Sequence, residues 1–158
     1  GIPMNVRELT PVDVAARLDA DTKSVYLDVR SEHEFEQGHP AGALNIPLFH
    51  FDPATRQPQP NQQFLAVVSA LIERDVSVYI GCASGQRSHQ AATLLLSAGY
   101  ETVFNVDGGF SGKRDPFGVV LVEGWQQAGL PCSDGDGDER SYSYLLAAAA
   151  EVQEQEPD

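Results

Sequence analysis

Residues 76–88 read VSVYIGCASGQRS, and this stretch decides the fold. Its first five residues are β-branched or aromatic apart from one serine, which is typical of a strand buried on both faces of a sheet. Residues 91–98, AATLLLSA, follow closely and predict a helix that ends at Gly99. A buried strand, a short glycine-containing loop and a helix in this order place the loop at the carboxyl edge of an α/β sheet, where such folds bind ligands.

The rest of the chain alternates between strand and helix patterns. Further strands are predicted at 24–29, 43–46 and 103–106, and helices are predicted from Pro11, from Ser31 through an S-x-x-E capping box, and over 64–72. Residues 51–63 have no period and predict a surface loop, while residues 119–122 predict a small strand or part of a pocket wall. This alternation predicts an open parallel sheet of about five strands with helices on both faces.

The composition limits the kind of protein that the chain forms. With 158 residues, 42% of them hydrophobic, it is long enough for one domain with one core. Its net charge is -13, and it has no cluster of basic and aromatic residues of the kind that nucleic acid binding requires. No apolar run approaches the roughly 18 residues of a membrane span. We therefore expect neither nucleic acid nor a membrane as a partner.

The two ends of the chain have different characters. The first residues have neither the apolar stretch nor the cleavage site of a secretory signal, which predicts a cytoplasmic protein. Residues 1–3 are interpreted as a cloning remnant before a native start at Met4, although a signal peptide already removed would leave a similar sequence. Eight acidic residues and a single basic one, Arg140, follow Ser133. We expect a flexible acidic linker at 133–138 and a helix at 142–152.

The chain has two cysteines, Cys82 and Cys132, which are too few for a disulfide framework and lack the spacing of a zinc site. Cys82 directly follows the buried strand and precedes a helix whose amino terminus supplies positive potential. Backbone N–H groups of the loop can converge on an anion, and both effects favour a thiolate or a terminal persulfide. Gly85 permits the positive φ that such a curled loop requires.

Polar and charged side chains accompany the thiol in the loop. Ser84 and Gln86 can add polar groups, and Arg87 can form a planar, two-pronged contact with an anionic donor. Ser88 is expected to cap the following helix. An isolated cysteine is more often small and buried than reactive, but the order of strand, glycine, cysteine, polar loop and helix favours the reactive interpretation.

Four separated motifs resemble those of the rhodanese-like domain family and occur in the family's order. They are Leu27–Arg30 with Glu34 and Phe35, then Gly38–Pro47, then Cys82–Ser88, then Asn105–Phe110 with a closing Gly129–Pro131. The resemblance predicts a rhodanese-like domain over residues 4–132, with residues 133–158 outside it as the acidic linker and helical tail.

The resemblance implies sulfur transfer. In rhodaneses the loop cysteine, here Cys82, takes a sulfane sulfur from a small anionic donor such as thiosulfate and passes it from a persulfide to cyanide or a thiol. A protein thiol is a further acceptor under this interpretation, and neither a cofactor nor a metal is implied. The loop residues would hold the donor and the persulfide through backbone N–H groups; these residues are Ala83, Ser84, Gly85, Gln86 and Arg87.

The resemblance also assigns supporting residues and shows departures from the family. Asp28 and Arg30 are expected to form a charged contact that shapes the pocket, with Arg30 and Glu34 as a structural pair. Ala83 stands where some members carry a basic residue, which leaves Arg87 as the only formal cation of the loop and weakens the expectation of a thiosulfate preference. Residues 110–124 exceed the compact family pattern, and we expect a lid or partner contact there, formed by Lys113, Arg114 and Phe117.

Other interpretations are less favoured. Cysteine-dependent phosphatases and arsenate reductases have a loop one residue longer, whereas here Arg87 follows Cys82 by five positions, and the smaller loop suits a sulfur atom better than a phosphoryl group. A non-catalytic binding module is disfavoured because the cysteine is retained. The four histidines form no metal set, and His89 as a general base, Cys132 as a resolving thiol and a calcium loop at 134–139 are each minor alternatives.

Overall fold

A computed structural model describes residues 6–135 and 138–155. Its helices are α1 (Pro11–Ala20), α2 (Glu32–Gln37), α3 (Phe64–Leu71), α4 (Gln86–Ser97) and α5 (Tyr142–Gln155). Its strands are β1 (Arg7–Leu9), β2 (Val25–Asp28), β3 (His39–Pro40), β4 (Leu44–Asn45), β5 (Phe49–Phe51), β6 (Pro58–Pro60), β7 (Val78–Gly81), β8 (Val103–Val106), β9 (Lys113–Arg114), β10 (Val120–Val122) and β11 (Cys132–Ser133).

The central sheet has five strands in the order β1-β8-β7-β2-β4, and every neighbouring pair is parallel. This confirms the predicted parallel α/β architecture. The fifth strand is β1, which the sequence reading missed because three largely exposed residues at a sheet edge show no hydrophobic period. Residues 120–122 form a strand outside this sheet, in a separate hairpin with β9.

Helices cover both faces of the sheet, as predicted, because successive strand residues point to opposite sides. Leu27 and Ile80 belong to a core that α3, α4 and α5 complete. Tyr26 and Tyr79 belong to the core of the other face, which includes side chains from α1 and α2. The strand β7 that precedes Cys82 is buried along its whole length, so the loop after it starts from a fixed point.

The expectation of a surface loop over 51–63 is wrong in part. Strands β5 and β6 form an antiparallel hairpin that pairs Phe49 with Pro60 and Phe51 with Pro58. The turn between them is closed by the Asp52 carboxylate, which accepts N–H hydrogen bonds from two following residues. Proline gives no strand period and donates no N–H, yet it is compatible with an edge strand, which explains why the pattern was missed.

The C-terminal helix packs on the body of the protein. Helix α5 lies against α3, and its Tyr142, Leu145 and Ala149 are buried in the core beneath the sheet. The N–H of Gly135 donates to the backbone oxygen of Glu36 at 2.8 Å, so the beginning of the acidic segment is held against α2. The division at residue 132 stays a prediction. The expectations for residues 1–5 and 136–137, and for the end of the tail at 156–158, lie outside the described residues.

None of the helices within 6–135 and 138–155 combines the length and the apolar character needed to cross a membrane.

Candidate active site

The reactive loop begins at Cys82, the first residue after β7, and its outer backbone is tied to the segment after β8. The carbonyl oxygens of Cys82 and Ala83 accept hydrogen bonds from the N–H groups of Phe110 and Ser111, both at 2.8 Å. Gly109 lies directly beneath the loop, where any side chain would collide with the Cys82 carbonyl oxygen. The carbonyls of the loop are therefore held towards the protein.

Two donors reach the sulfur of Cys82. The backbone N–H of Gly85 donates to Sγ at 3.1 Å, and the hydroxyl of Ser88 donates to it at 3.3 Å. The cysteine is only 2% exposed. The φ of Gly85 is +122°, which a residue with a side chain rarely adopts, so glycine is needed for the loop to curl over the sulfur.

The expectation that Ser88 caps the following helix is wrong. Helix α4 begins at Gln86, earlier than predicted, with Gly85 at its cap position and Ser88 inside its first turn. Ser88 is completely buried, and its hydroxyl is directed to the sulfur instead of to the helix backbone. The longer helix also brings its amino terminus, with the positive potential of its free N–H groups, directly to the cysteine loop.

Arg87 forms an ion pair within the protein, so its guanidinium is already engaged. Its Nη1 and Nη2 donate to the two carboxylate oxygens of Glu34 at 2.7 and 2.9 Å. The expected structural pair of Arg30 and Glu34 is therefore wrong, because Glu34 gives both oxygens to Arg87. Burial alone would raise the pKa of Glu34, but the hydrogen bond and charge of Arg87, together with the N–H of Ser31, lower it to about 2.

Asp28 and Arg30 form the charged contact that the sequence predicted. The guanidinium donates to both carboxylate oxygens at 2.8 to 3.2 Å, and both residues are at least nine-tenths buried. Arg30 also donates to the carbonyl of Gly38 at 2.7 Å and lies 4.5 Å over the ring of Phe110. Because all sides of this guanidinium are occupied by protein, Arg30 supports the wall of the loop and does not offer a free cation.

Asn105, at the end of β8, connects the loop to the sheet edge and was not singled out from the sequence. Its Nδ2 donates to the carbonyl of Gly85 and to Oε1 of Glu8, both at 3.1 Å. It is 3% exposed. The available signal was positional: Asn105 lies near the carboxyl end of the strand adjacent to the cysteine strand, so its side chain meets the loop at the same edge of the sheet.

A cavity of about 330 Å³ lies beside the loop. Ser84, Gly85 and Gln86 form one wall, and Lys113 and Arg114 of β9 stand at another. Two of the three residues expected in a lid or partner contact thus stand beside the loop. Phe117 is at the tip of the hairpin and is 92% exposed. The role of the hairpin as a lid or a partner contact stays a prediction.

A larger cavity of about 510 Å³ lies between the β5–β6 hairpin, α3 and α4, and its wall is mainly apolar. Among the described residues that line it, none belongs to the cysteine loop. We therefore take the smaller cavity as the one related to the chemistry.

The histidines and the second cysteine make no hydrogen bond to the Cys82 sulfur within the described residues. His39 is buried and stacks on Phe35 with the ring centres 3.5 Å apart. His89 is exposed and lines both cavities, while Cys132 is exposed in β11 and its pKa is raised by partial burial, with the charge of Arg30 opposing. In the part of the chain that the structure describes, no three His, Cys, Asp or Glu residues come close enough to hold a metal ion.

Comparisons with known proteins agree with this geometry. The family model for the Rhodanese-like domain matches residues 10–114. The chain is 42% identical over 106 residues to Thiosulfate sulfurtransferase 18 of Arabidopsis thaliana, a match that covers 65% of this chain and 76% of that protein. It is 37% identical over 106 residues to Thiosulfate sulfurtransferase 16, chloroplastic, of the same plant, with 67% and 77% covered.

Among solved structures, the crystal structure of Rv0390 from M. tuberculosis matches with a TM-score of 0.69 and 30% sequence identity. The match covers 84% of this chain and 100% of that one.

Proposed function

The chain belongs to the rhodanese-like domain family, and we propose that it is a sulfurtransferase that moves a sulfane sulfur from a small anionic donor to a thiophilic acceptor through a persulfide on Cys82. The observation that carries this proposal is the direction of two hydrogen-bond donors, the Gly85 N–H and the Ser88 hydroxyl, at the sulfur of a cysteine that begins a helix-capping loop. Relatives named as thiosulfate sulfurtransferases support the same class of reaction.

In the first step the Cys82 thiolate attacks the outer sulfur of a donor such as thiosulfate. A new S–S bond forms at Sγ, the S–S bond of the donor breaks, and sulfite leaves with the bonding electron pair. The two hydrogen bonds at Sγ stabilise the thiolate before the attack, because donors aimed at an anion hold it without reorganisation. The amino terminus of α4 adds to this stabilisation.

In the second step an acceptor such as cyanide or a thiol attacks the outer sulfur of the persulfide. The bond between that sulfur and Sγ breaks, and Cys82 leaves as the thiolate, so the same two donors stabilise the leaving group. The step needs no metal, oxidant or reductant, because one S–S bond is exchanged for a new bond from sulfur to the acceptor. Persulfide chemistry of this kind is covalent catalysis in two stages.

The anionic sulfur donor binds to the backbone N–H groups of the loop more than to its arginine. Arg87 is engaged with Glu34, and Ala83 contributes no charge, so residues 83–87 offer N–H groups and the polar side chains of Ser84 and Gln86. We therefore propose that binding of the anion depends on these groups and is weak. Cytoplasmic location stays a prediction.

The test is a persulfide measurement with the intact protein. Wild type and Cys82→Ser are incubated with thiosulfate, and the mass of each is measured before and after addition of cyanide. We expect a gain of one sulfur atom in wild type that cyanide removes as thiocyanate, and no gain in Cys82→Ser. Cys132→Ser is the matched control and should behave as wild type. Wild-type protein that gains no sulfur, or hydrolysis of a phosphate ester that depends on Cys82, would overturn the proposal.

A further inference from the structure

The cavity beside the cysteine loop carries both signs of charge, and the two signs come from different parts of the fold. Glu8 in β1 and Asp107 after β8 approach it from the edge of the sheet, while Lys113 and Arg114 approach it from the hairpin. In a protein with a net charge of -13, two adjacent basic residues beside the loop are a local exception. The cavity therefore offers both carboxylate acceptors and cations to a ligand.

The acidic side is held in place. Oε1 of Glu8 accepts a hydrogen bond from Nδ2 of Asn105 at 3.1 Å, and the N–H of Asp107 donates to the carbonyl of Leu9 at 2.8 Å, which joins the two acidic residues through the pairing of β1 with β8. Partial burial raises the pKa of Glu8, and the charge of Asp107 adds to this, whereas the Asn105 hydrogen bond and the charges of His89 and Lys113 oppose it. Two neighbouring carboxylates in a partly desolvated position favour the approach of a cation.

The basic side is anchored to the reactive loop. The segment that enters the hairpin donates from Ser111 to the carbonyl of Ala83, and the N–H of Gly112 donates to the carbonyl of Gly108 at 2.7 Å. Nη1 of Arg114 donates to the carbonyl of Gly118 at 3.0 Å, which holds the guanidinium along the hairpin. Lys113 and Arg114 therefore stay beside the cysteine loop, where their charges can meet a carboxylate.

The cavity is also close to the sulfur. Gly85 forms part of its wall, and the N–H of the same residue donates to Sγ of Cys82 at 3.1 Å. Its volume of about 330 Å³ lies at the lower end of the range of roughly 300 to 1,000 Å³ for small-molecule sites. A ligand held there is small and lies against the loop that holds the reacting sulfur.

We propose that this cavity is the acceptor subsite and that it binds a small zwitterionic thiol of the class of free cysteine, with the ammonium at Glu8 and Asp107, the carboxylate at Lys113 and Arg114, and the thiol directed to the cysteine loop. The inference rests on the proposed function. It names the acceptor class for the same site. The acceptor thiolate attacks the outer sulfur of the Cys82 persulfide, a new S–S bond forms on the acceptor, and the bond to Sγ breaks with its electron pair left on Cys82, so no further reactant is needed.

The experiment compares three thiols that differ in their charged groups. L-cysteine has an ammonium and a carboxylate, cysteamine has only the ammonium, and 3-mercaptopropionate has only the carboxylate. Each is used as the acceptor for thiosulfate-loaded protein, and KM and kcat are measured for wild type, for Lys113→Gln/Arg114→Gln and for Glu8→Gln/Asp107→Asn. Each variant is compared with wild type for one thiol at a time, so that differences in the intrinsic reactivity of the thiols cancel.

Loss of the two cations should raise KM at least about fivefold for L-cysteine and 3-mercaptopropionate and leave cysteamine within about twofold. Loss of the two acidic charges should raise KM to a similar extent for L-cysteine and cysteamine and leave 3-mercaptopropionate unaffected. Lys23→Gln, which removes an exposed cation outside the cavity, is the matched control and should leave all three thiols unchanged.

Failure of this inference is distinguishable from failure of the proposed function. If wild type forms the Cys82 persulfide but both double variants change the three thiols equally or not at all, the zwitterion subsite is wrong and sulfur transfer stands. If wild type forms no persulfide with thiosulfate, the proposed function fails first. Circular dichroism establishes that each double variant is folded before KM and kcat are measured.

Discussion

Arg87 of the cysteine loop and Glu34 of helix α2 form a bidentate ion pair with N–O distances of 2.7 and 2.9 Å. The pair spans 53 positions of the sequence and joins the first turn of α4 to the first turn of α2. Its acidic member also completes the capping box of α2, because Oε1 of Glu34 accepts the N–H of Ser31 at 3.1 Å. One carboxylate therefore stabilises a helix start and fixes the arginine of the reactive loop.

This arrangement predicts a pH-dependent contribution to stability. The pKa of Glu34 in the folded protein is about 2, below its ordinary value of 4.5. A lowered folded-state pKa means that the stabilisation is fully present above pH 4.5 and is lost as pH falls towards 2. Since the Glu34 side chain is 32% exposed, we discount the full shift and expect about 1 to 2 kcal/mol.

The measurement is the free energy of unfolding of wild type and Glu34→Gln between pH 3 and 7. The difference between the two should be largest above pH 5 and should shrink as the pH is lowered. Glu36→Gln removes an exposed carboxylate from the same helix and serves as the control, with a difference near zero at every pH. A Glu34→Gln difference that is constant with pH would contradict the ion-pair interpretation.

Ser88→Ala should slow sulfur transfer while preserving the fold. The substitution removes the hydroxyl that donates to Sγ of Cys82 at 3.3 Å and leaves a buried alanine of similar volume. A hydrogen bond of this type is worth about 1 kcal/mol, which corresponds to a roughly fivefold lower rate of persulfide formation. Stopped-flow or quenched mass measurements give this rate. Ser97→Ala, at the exposed end of the same helix, should match wild type, and an unchanged rate in Ser88→Ala would remove the hydroxyl from the mechanism.

The elements that sequence alone predicts best are those with a strong local signal. Strand β7 is an apolar β-branched run, and the starts of α1 and α2 carry capping hydroxyls whose hydrogen bonds the structure contains. The elements that were missed have weak local signals. Strand β1 has three residues at a sheet edge, and β6 contains two prolines, so each depends on a partner strand for its conformation.

The candidate site shows the same division. Cys82, the curled loop at Gly85 and the Asp28–Arg30 contact follow from motifs that are continuous or nearly so in sequence. The partner of Arg87 and the role of Ser88 depended on three-dimensional relationships. Either Arg30 or Arg87 is a chemically reasonable partner for Glu34, and only the packing of α2 against the loop decides between them.

Gly109→Ala should disrupt the cysteine loop from beneath. The φ of Gly109 is +55°, and a methyl group there would collide with the carbonyl oxygen of Cys82 and lie 2.9 Å from that of Ala83. We expect a loss of about 2 to 4 kcal/mol in stability and little persulfide formation, because backbone on both sides must move. Gly118→Ala also has a positive φ, +87°, but meets no atom within 4 Å.

Gly118→Ala should therefore lower the free energy of unfolding by only about 1 kcal/mol, because of backbone strain, and should retain sulfur loading. Thermal unfolding and intact mass after thiosulfate treatment measure both properties for the two variants. Equal behaviour of the two would show that backbone strain, and not contact with the loop, determines the effect at Gly109.

Leu145→Ala tests whether the C-terminal helix is an integral part of the folded unit. Leu145 is 6% exposed and lies in the core that includes side chains of α3, while Tyr144 beside it is 52% exposed. Removal of the buried side chain leaves a cavity and should lower the free energy of unfolding by about 2 to 4 kcal/mol, whereas Tyr144→Ala should stay within about 0.5 kcal/mol of wild type. A helix that is only appended to the domain would give nearly equal, small effects for both.

Persulfide formation per folded molecule should be unchanged in Leu145→Ala, because α5 packs against α3 and donates no hydrogen bond to the cysteine loop in the part of the chain that the structure describes.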